Sequence, residues 1–216
     1  AKVLRLANSP FYGFPSRIAS VAHAVVVLGL NVVKGLTLCA TAFDMMRNAG
    51  MNELWRHSLG VAMTAHILGT KAAMKNPEEV FVAGLLHDIG KVVLYVKWPD
   101  VGQQITTVTR NTSRPLMDTE QELFEVTHAD VGGWLASAWH LPTSLREPIL
   151  HHHTPAAAQD AKLQTAIVHV ADVLVKGLAC GNPGDDLVPP LSRQAWDLVG
   201  LDAQSLAHCL TQATEE

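Results

Sequence analysis

The sequence predicts an all-α fold, and three observations support this prediction. Apolar residues make up 48% and charged residues 17% of the 216 residues, which suits one large packed domain or two small ones. Only 6% of the residues are aromatic while Ala, Val and Leu dominate, and such side chains allow helices to pack closely. Apolar residues also recur at helical spacing between Gly and Pro turn signals.

The first third of the chain predicts a turn and two core helices. Residues 8–16, NSPFYGFPS, contain the Pro and Gly residues typical of a turn. Helices are expected over residues 18–28 and from there to about Asn48, separated by a Gly29 stop and Asn31 as the next N-cap. The chain opens inside a helical pattern, so we expect an upstream piece.

The rest of the chain continues the helical pattern. Residues 53–75 are apolar at helical spacing, and Pro77 then begins a helix that carries His87 and Asp88. Further helices are expected over residues 101–111, 120–139, 143–152 and 161–178, and then, after a loop, around residues 195–212.

Composition excludes several classes of function. The net charge of −4 and the absence of a dense basic run argue against nucleic-acid binding. The most apolar region, residues 21–43, is interrupted by polar residues and is too short for a membrane span. There is no secretory signal pattern, and the three cysteines, Cys39, Cys180 and Cys209, show no metal-type pairing. We therefore expect a cytoplasmic protein with reduced thiols.

The stretch GLLHDIGK places His87 and Asp88 at the end of an apolar run, with Lys91 three residues after the aspartate. Neutral imidazoles and carboxylates together bind first-row divalent metals. Adjacent side chains on one helix point about 100° apart, so a metal would lie between the pair. The remaining ligands must then come from neighbouring helices.

Two other residues complete a candidate four-ligand set. His57 lies four residues after Glu53, so the two project from one helix face. Asp172 lies within AIVHVADVLV, where a buried carboxylate needs a cation or hydrogen-bond donors. The candidate metal ligands are therefore His57, His87, Asp88 and Asp172.

The spacing of His57, His87-Asp88 and Asp172, with LLHDIGK intact, resembles the HD superfamily of metal-dependent phosphohydrolases. The opening third, KVLRLANSPFYGFPSRIASVAHAVVVLGLNVVKGL, closely resembles the signature of HDOD domains, which are HD-related output domains of bacterial signalling proteins. The segments THADVGGWLASAWHLP and ILHHHTP extend the likeness over nearly the whole chain.

The resemblance implies a two-lobed helical bundle of HD-domain type. Residues 1–50 would form the C-terminal part of the N-terminal HDOD lobe, and residues 51–216 an HD-like lobe that contains the metal site. It also implies a bacterial, cytoplasmic signalling protein.

The HD-GYP phosphodiesterases of cyclic-di-GMP, which are related to HDOD domains, imply further ligands. Glu53 matches the extra glutamate of some HD-GYP sites, His128 matches their THPxxG histidine, and His152-His153 match their paired histidines. These matches imply two or three divalent ions, of Fe, Mn or Zn. However, HTPAAAQDAKLQT lacks the Gly-Tyr-Pro signature, and the interval from the doublet to His128 is unusually long. Both departures argue against hydrolysis of cyclic-di-GMP.

Two residues would carry the chemistry if metals bind. Asp88 would bridge two ions that generate a hydroxide and stabilise an attacked phosphate. Lys91, one helical turn later, would contact a phosphate oxygen as a compact positive charge.

Each candidate also has a structural interpretation. His87 and Asp88 would form a hydrogen-bonded pair, Glu53 would favour a helix N-terminus, and Lys91, after a Gly90 stop, would favour a helix C-terminus. His128 would be a capped helix-end residue. Among His151, His152 and His153, at least one would be a solvated neighbour.

Two functional hypotheses follow. In the first, the chain is an HDOD signalling module that retains a metal site and acts by contact with a signalling protein partner. In the second, it is an active phosphohydrolase that acts on a nucleotide or cyclic dinucleotide, a phosphate-containing ligand. The retained ligands favour the second, whereas the missing Gly-Tyr-Pro signature and the first lobe favour the first.

Overall fold

The computed structural model describes residues 4, 8, 18–112 and 114–202, and the regular structure of these residues is helical throughout. The helices are α1 (Val21–Leu28), α2 (Leu30–Asn48), α3 (Asn52–Lys71), α4 (Pro77–Leu86), α5 (Ile89–Lys97), α6 (Pro99–Thr112), α7 (Leu116–Phe124), α8 (His128–Ala138), α9 (Thr143–His151), α10 (Lys162–Gly177) and α11 (Arg193–Val199). A 3₁₀ turn, Pro155–Ala157, precedes α10. The prediction of an all-α fold is confirmed.

Helices α3, α4 and α10 form the centre of the fold. Every residue of α4 from Val80 to Leu86 is buried, and so is every residue of α10 from Thr165 to Val173. Helices that are apolar on all sides must be enclosed by others. Here α4 packs against α2, α3, α9 and α10, while α8 packs between α5 and α9. The C-terminal end of α4 therefore lies in the protein interior, between the other helices.

The break between α1 and α2 lies at Gly29, as predicted, where φ is +84°. The same glycine is the N-cap of α2, so the prediction that Asn31 is the cap is wrong. Glycine adopts positive φ without steric cost and thus serves both helix ends. Because α2 also packs against α3 and α4, helix contacts cross the predicted lobe boundary at residue 50. The two-lobed division remains a prediction.

The single helix predicted over residues 120–139 is two helices. Helix α7 ends before Glu125, which has a left-handed φ of +57°, and α8 begins after Thr127. The Thr127 side chain accepts a hydrogen bond from the Asp130 backbone, and the Asp130 carboxylate accepts one from Thr127 N–H. This reciprocal capping box starts a new helix at His128.

Some sequence predictions fall outside the described residues, namely most of the turn at 8–16, residues 203–212 of the last helical segment, and Cys209. Cys39 is buried, which raises the pKa of its thiol, and both Cys39 and Cys180 are free. None of the described helices combines the length and the hydropathy that a membrane span requires.

Candidate metal centre

His87 and Asp88 lie between two helices rather than on one. Helix α4 ends at Leu86, and α5 begins at Ile89 with Asp88 as its N-cap residue. The prediction that one helix carries both residues is therefore wrong. The Asp88 side chain makes no capping hydrogen bond to α5, and its carboxylate is directed to the interior instead. His87 Nε2 lies 3.3 Å from Asp88 Oδ2, so both side chains enter the same interior space.

Gly90 allows the first turn of α5 to approach the first turn of α8. A Cβ atom at this position would stand 1.9 Å from the carbonyl oxygen of His128 and 2.9 Å from the backbone nitrogen of Gly132. Only a hydrogen atom fits there. Gly90 is thus an interior residue of α5 and not the predicted helix stop, and its close contact brings His128 next to Asp88.

The four residues first predicted as ligands form one group. His57 Nε2 lies 3.0 Å from Asp172 Oδ1 and 3.9 Å from Asp88 Oδ2, while His87 Nε2 lies 3.9 Å from Asp172 Oδ1. All four side chains are at most 1% exposed. We call His57, His87, Asp88 and Asp172 the first group. It joins α3, the junction of α4 and α5, and α10.

His128, His152 and His153 form a second group, whose ligand atoms lie within 4.8 Å of one another. His128 Nε2 is 3.0 Å from His153 Nε2. The other carboxylate oxygen of Asp88, Oδ1, lies 3.2 Å from His128 Nε2 and 3.8 Å from His152 Nε2. Asp88 therefore presents Oδ2 to the other residues of the first group and Oδ1 to the second group. His151 belongs to neither group.

Backbone carbonyls fix the orientation of two imidazole rings. His87 Nδ1–H donates to the carbonyl oxygen of Gly84 at 2.7 Å, and His152 Nδ1–H donates to that of Ile149 at 2.9 Å. Each acceptor lies three residues earlier, at the end of a helix whose last carbonyls lack helical partners. With the proton on Nδ1, each Nε2 presents its lone pair to the centre, which is the form that binds metals.

Two buried residues that support the centre are absent from the sequence-based prediction. Glu120 Oε2 accepts hydrogen bonds from the backbone N–H of His128 at 2.8 Å and from its ring Nδ1–H at 2.6 Å. His169 Nδ1–H donates to the carbonyl oxygen of His152 at 2.7 Å, and its Nε2 accepts the N–H of Ser192 at 3.0 Å. For His169 the sequence signal is a polar residue within the apolar pattern AIVHVADV, as for Asp172, whereas Glu120 stands among other polar residues and its segment carries no such signal.

Electrostatics keep the two aspartates of the centre ionised. Burial would raise the pKa of Asp88, but His87 and Lys91 outweigh burial and hold that pKa well below its usual value. Burial opposes the shift at Asp172 too, but the His57 imidazole, whose Nε2 lies 3.0 Å from Asp172 Oδ1, outweighs burial and holds that pKa well below its usual value.

The imidazoles differ from one another. Burial lowers the pKa of His57, His152 and His153, so these rings are neutral. Burial also acts to lower the pKa of His87, but the charge of Asp88 outweighs it and raises that pKa. The same holds for His128, whose pKa is raised by the charge of Glu120 against the effect of burial. Metal ligands must be neutral imidazoles and ionised carboxylates, so an ion would displace a proton from His87 or His128 wherever one is bound.

Several atoms of the centre are buried without a hydrogen-bond partner in the described part of the chain. They include His87 Nε2, His152 Nε2, Asp88 Oδ1 and both carboxylate oxygens of Asp172. The contacts among them lack hydrogen-bond geometry, although an unsatisfied buried polar group costs about 1–3 kcal/mol. One divalent cation in each group would satisfy these atoms. The donor set of imidazole nitrogens and carboxylate oxygens suits Fe, Mn or Zn.

Lys91 lies at the edge of the centre. Its Nζ donates to Asp88 Oδ2 at 2.8 Å, and burial acts against its charge, but the carboxylate of Asp88 raises its pKa. Lys91 also lines two cavities. One, of about 430 Å³, is bounded by His128, His153 and Lys176, and the other, of about 370 Å³, is bounded by Glu53.

Glu53 does not join the metal-ligand groups. It lies in the first turn of α3, where its side chain is 56% exposed and pairs with Arg56 at 3.3 Å. Helical spacing from His57 predicted a shared face, but the end of the helix lies at the surface and solvates the carboxylate. Its assignment as a ligand stays a prediction, and this geometry does not support it.

Comparisons with known proteins agree with this architecture. A 27% identical HDOD domain protein of unknown function from Geobacter sulfurreducens matches 99% of this chain and 80% of its own, with a TM-score of 0.72. A Shewanella amazonensis protein provisionally assigned as a phosphohydrolase is 24% identical, and the match covers 98% of this chain and 77% of that protein with a TM-score of 0.67. A Marinobacter aquaeolei protein provisionally assigned to signal transduction is 20% identical, and the match covers 99% of this chain and 49% of that protein with a TM-score of 0.71.

An uncharacterised protein of Treponema pallidum is 25% identical over 191 residues, which cover 86% of this chain. The aligned part is 37% of that relative, so the chain spans little more than a third of its length. The model of the HDOD domain family matches residues 1–155, well over half of the chain. With its helical architecture, this match shows that the chain belongs to the HDOD domain family.

Proposed function

We propose that this chain is a bacterial signalling and interaction domain that binds divalent metal ions at its two ligand groups. The observation that carries the metal site is the set of buried ligand atoms without hydrogen-bond partners, arranged on both sides of Asp88. The signalling role draws on HDOD family membership and on the provisional assignment of the Marinobacter aquaeolei relative.

The residues of the two groups divide the task of binding. His57, His87 and Asp172 would hold an ion with Asp88 Oδ2, and His128, His152 and His153 would hold another with Asp88 Oδ1. The hydrogen bonds at Nδ1 of His87 and His152 keep their rings aimed at the centre before an ion arrives. Such orientation of a ligand by a hydrogen bond to its other ring nitrogen is typical of protein metal sites.

The buried carboxylates of the centre also favour a divalent cation. Three of them, those of Asp88, Asp172 and Glu120, lie around the ammonium of Lys91. Although burial acts against it, their charge raises the pKa of Lys91, of His87 beside Asp88 and of His128 beside Glu120. Buried carboxylates need a positive partner, and a divalent cation would supply that charge in place of protons on the imidazoles.

A phosphohydrolase is the second candidate function, and the cavity of about 430 Å³ beside His128 and His153 favours it. Its volume lies within the range of small-molecule sites. Bound metal ions would supply Lewis-acid activation of water and of a phosphate. Lys176, which lines the cavity, would attract an anionic ligand, although it is already paired with Asp185 at 3.3 Å.

Cyclic-di-GMP is a poor candidate substrate because the chain offers few groups to hold it. Efficient phosphoryl chemistry requires a positioned substrate as well as a metal. The segment after His153, TPAAAQDAK, contains one cation and no aromatic ring on which guanine could stack. We therefore expect weak hydrolysis of cyclic-di-GMP, or none, even when metal is bound.

The direct test is the metal content of the purified protein and of Asp88→Asn. Elemental analysis after anaerobic loading with Fe, Mn or Zn should find at least one ion per chain in the wild type. Asp88→Asn should lose ions from both groups because each oxygen of Asp88 faces one of them. Asp197→Asn, whose side chain is 60% exposed and pairs with Arg193, is the matched control. A wild type that binds no ion under any loading condition refutes the proposal.

An activity assay separates the two candidate functions. Loaded protein is incubated with cyclic-di-GMP and with nucleotides beside Asp88→Asn. Turnover on the order of 1 per second, abolished in the variant, would promote the enzyme over the signalling domain.

A further inference from the structure

Glu120 is a buried acid whose position serves one histidine. It lies on α7, eight residues before His128, and its carboxylate is fully buried. The break at Glu125 turns the chain so that α8 begins beside the preceding helix. One oxygen, Oε2, then reaches both the backbone N–H and the ring Nδ1–H of His128.

The double contact has two consequences for His128. As the first residue of α8, it has a backbone N–H without a helical acceptor, and Glu120 satisfies it. The bond to Nδ1–H holds the ring so that Nε2 is the nitrogen that faces the centre. That nitrogen lies 3.2 Å from Asp88 Oδ1 and 3.0 Å from His153 Nε2, inside the second group.

His128 is oriented differently from the other rings of the centre. His87 and His152 donate Nδ1–H to neutral backbone carbonyls, whereas His128 donates to a carboxylate. A carboxylate increases the basicity of the ring more strongly, and carboxylate–histidine–metal arrangements are a recurrent feature of protein metal sites. A helix cap alone requires only the backbone N–H contact, so the ring contact indicates a second role.

We infer that Glu120 is a positioning residue that prepares His128 to bind the ion of the second group. This inference rests on the proposed metal site and identifies the residue that controls one of its two positions. The first group has no contact with Glu120 among the described hydrogen bonds and ion pairs, so its ion should be independent of this residue.

The experiment compares Glu120→Gln with the wild type by metal titration. Glutamine keeps the volume but removes the charge, so the second ion should bind 10–100-fold more weakly, about the loss seen for outer-shell substitutions. The first ion should bind as in the wild type. The control is Glu122→Gln on the same helix, whose side chain is 58% exposed and pairs with Arg114, and it should bind both ions normally.

Two further measurements separate positioning from mere structural support. Metal-free Glu120→Gln should unfold close to the metal-free wild type, while the increase in Tm on metal addition should be smaller. A purely structural role predicts the reverse, a lower metal-free Tm and an undiminished increase, and would overturn the inference. Long-range ¹H–¹⁵N NMR of the metal-free wild type should show a proton on Nδ1 of His128, and an Nδ1 without a proton would overturn the inference even if the variant did not fold.

The outcomes distinguish this inference from the proposed function. If the wild type binds no ion, the proposed function fails. If the wild type binds two ions and Glu120→Gln binds both with unchanged affinity, only the inference about Glu120 fails.

Discussion

Gly90→Ala tests how tightly α5 must approach α8. The added Cβ would stand 1.9 Å from the carbonyl oxygen of His128, whereas ordinary contacts begin near 3.4 Å. Both nearest neighbours are backbone atoms, so neither can rotate away. Overpacking of this kind costs about 3 kcal/mol, and the better helix propensity of alanine returns at most about 1 kcal/mol. We expect a net loss of about 2–3 kcal/mol.

Urea denaturation of the metal-free protein measures this loss, and a thermal melt should show Tm lower by about 5–10 °C for a chain of this size. Gly177→Ala is the matched control. Gly177 is also helical, but a Cβ there meets no atom within 4 Å, so the variant should be as stable as the wild type or more stable. A loss below about 1 kcal/mol in Gly90→Ala would refute the reasoning, because it would show that the two helices separate easily.

Three other predictions follow from the geometry. Removal of bound metal by a chelator should lower Tm, because an ion present at 100 times its Kd adds about 2.7 kcal/mol to the free energy of unfolding. An unchanged thermal melt after proven metal removal would contradict this prediction. The carboxylate of Glu147 accepts hydrogen bonds from the backbone N–H groups of Gln159, Asp160 and Ala161, just before α10. Burial acts to raise the pKa of Glu147, but these hydrogen bonds outweigh burial and lower that pKa below the usual 4.5. The ionised Glu147 should therefore stabilise the folded chain by about 1 kcal/mol above pH 4.5, and this stabilisation should be lost as the pH falls through its folded-state pKa. The free energy of unfolding of Glu147→Gln, measured by denaturation, should equal that of the wild type only in acid. His169→Phe removes the bonds to His152 and Ser192 and should cost about 2–4 kcal/mol and hasten proteolysis near α11; an unchanged cleavage pattern would count against it.

Helix content and the residues of the first group were predictable from the sequence. Apolar spacing predicted α2, α9 and α10 closely, and the HD pattern selected residues that the structure brings together, including His57 and Asp172. The second group required the family resemblance, since spacing alone gave no reason to join His128 to His152.

Other features depend on contacts that sequence spacing does not contain. The helix break at Asp88 accompanies the contact of Gly90 with α8, which is remote in sequence. Glu53 has the helical spacing of a ligand, but its position at the helix end leaves it in solvent. Glu120 lies at the start of a segment, 120–139, that apolar spacing predicts as one helix, and that prediction does not include the Thr127 capping box that separates α7 from α8.

The positions of the ligands along the chain have a consequence for folding kinetics. More than half of the sequence lies between His57 and Asp172, and the second group lies within that interval. A bound ion would therefore act as a reversible cross-link that closes long loops, and long loops cost the most entropy to close. Because such contacts form late, the ion should slow unfolding far more than it speeds folding. The lifetime of the folded chain would then increase gradually with the concentration of available metal, because that concentration sets the fraction of chains that are cross-linked.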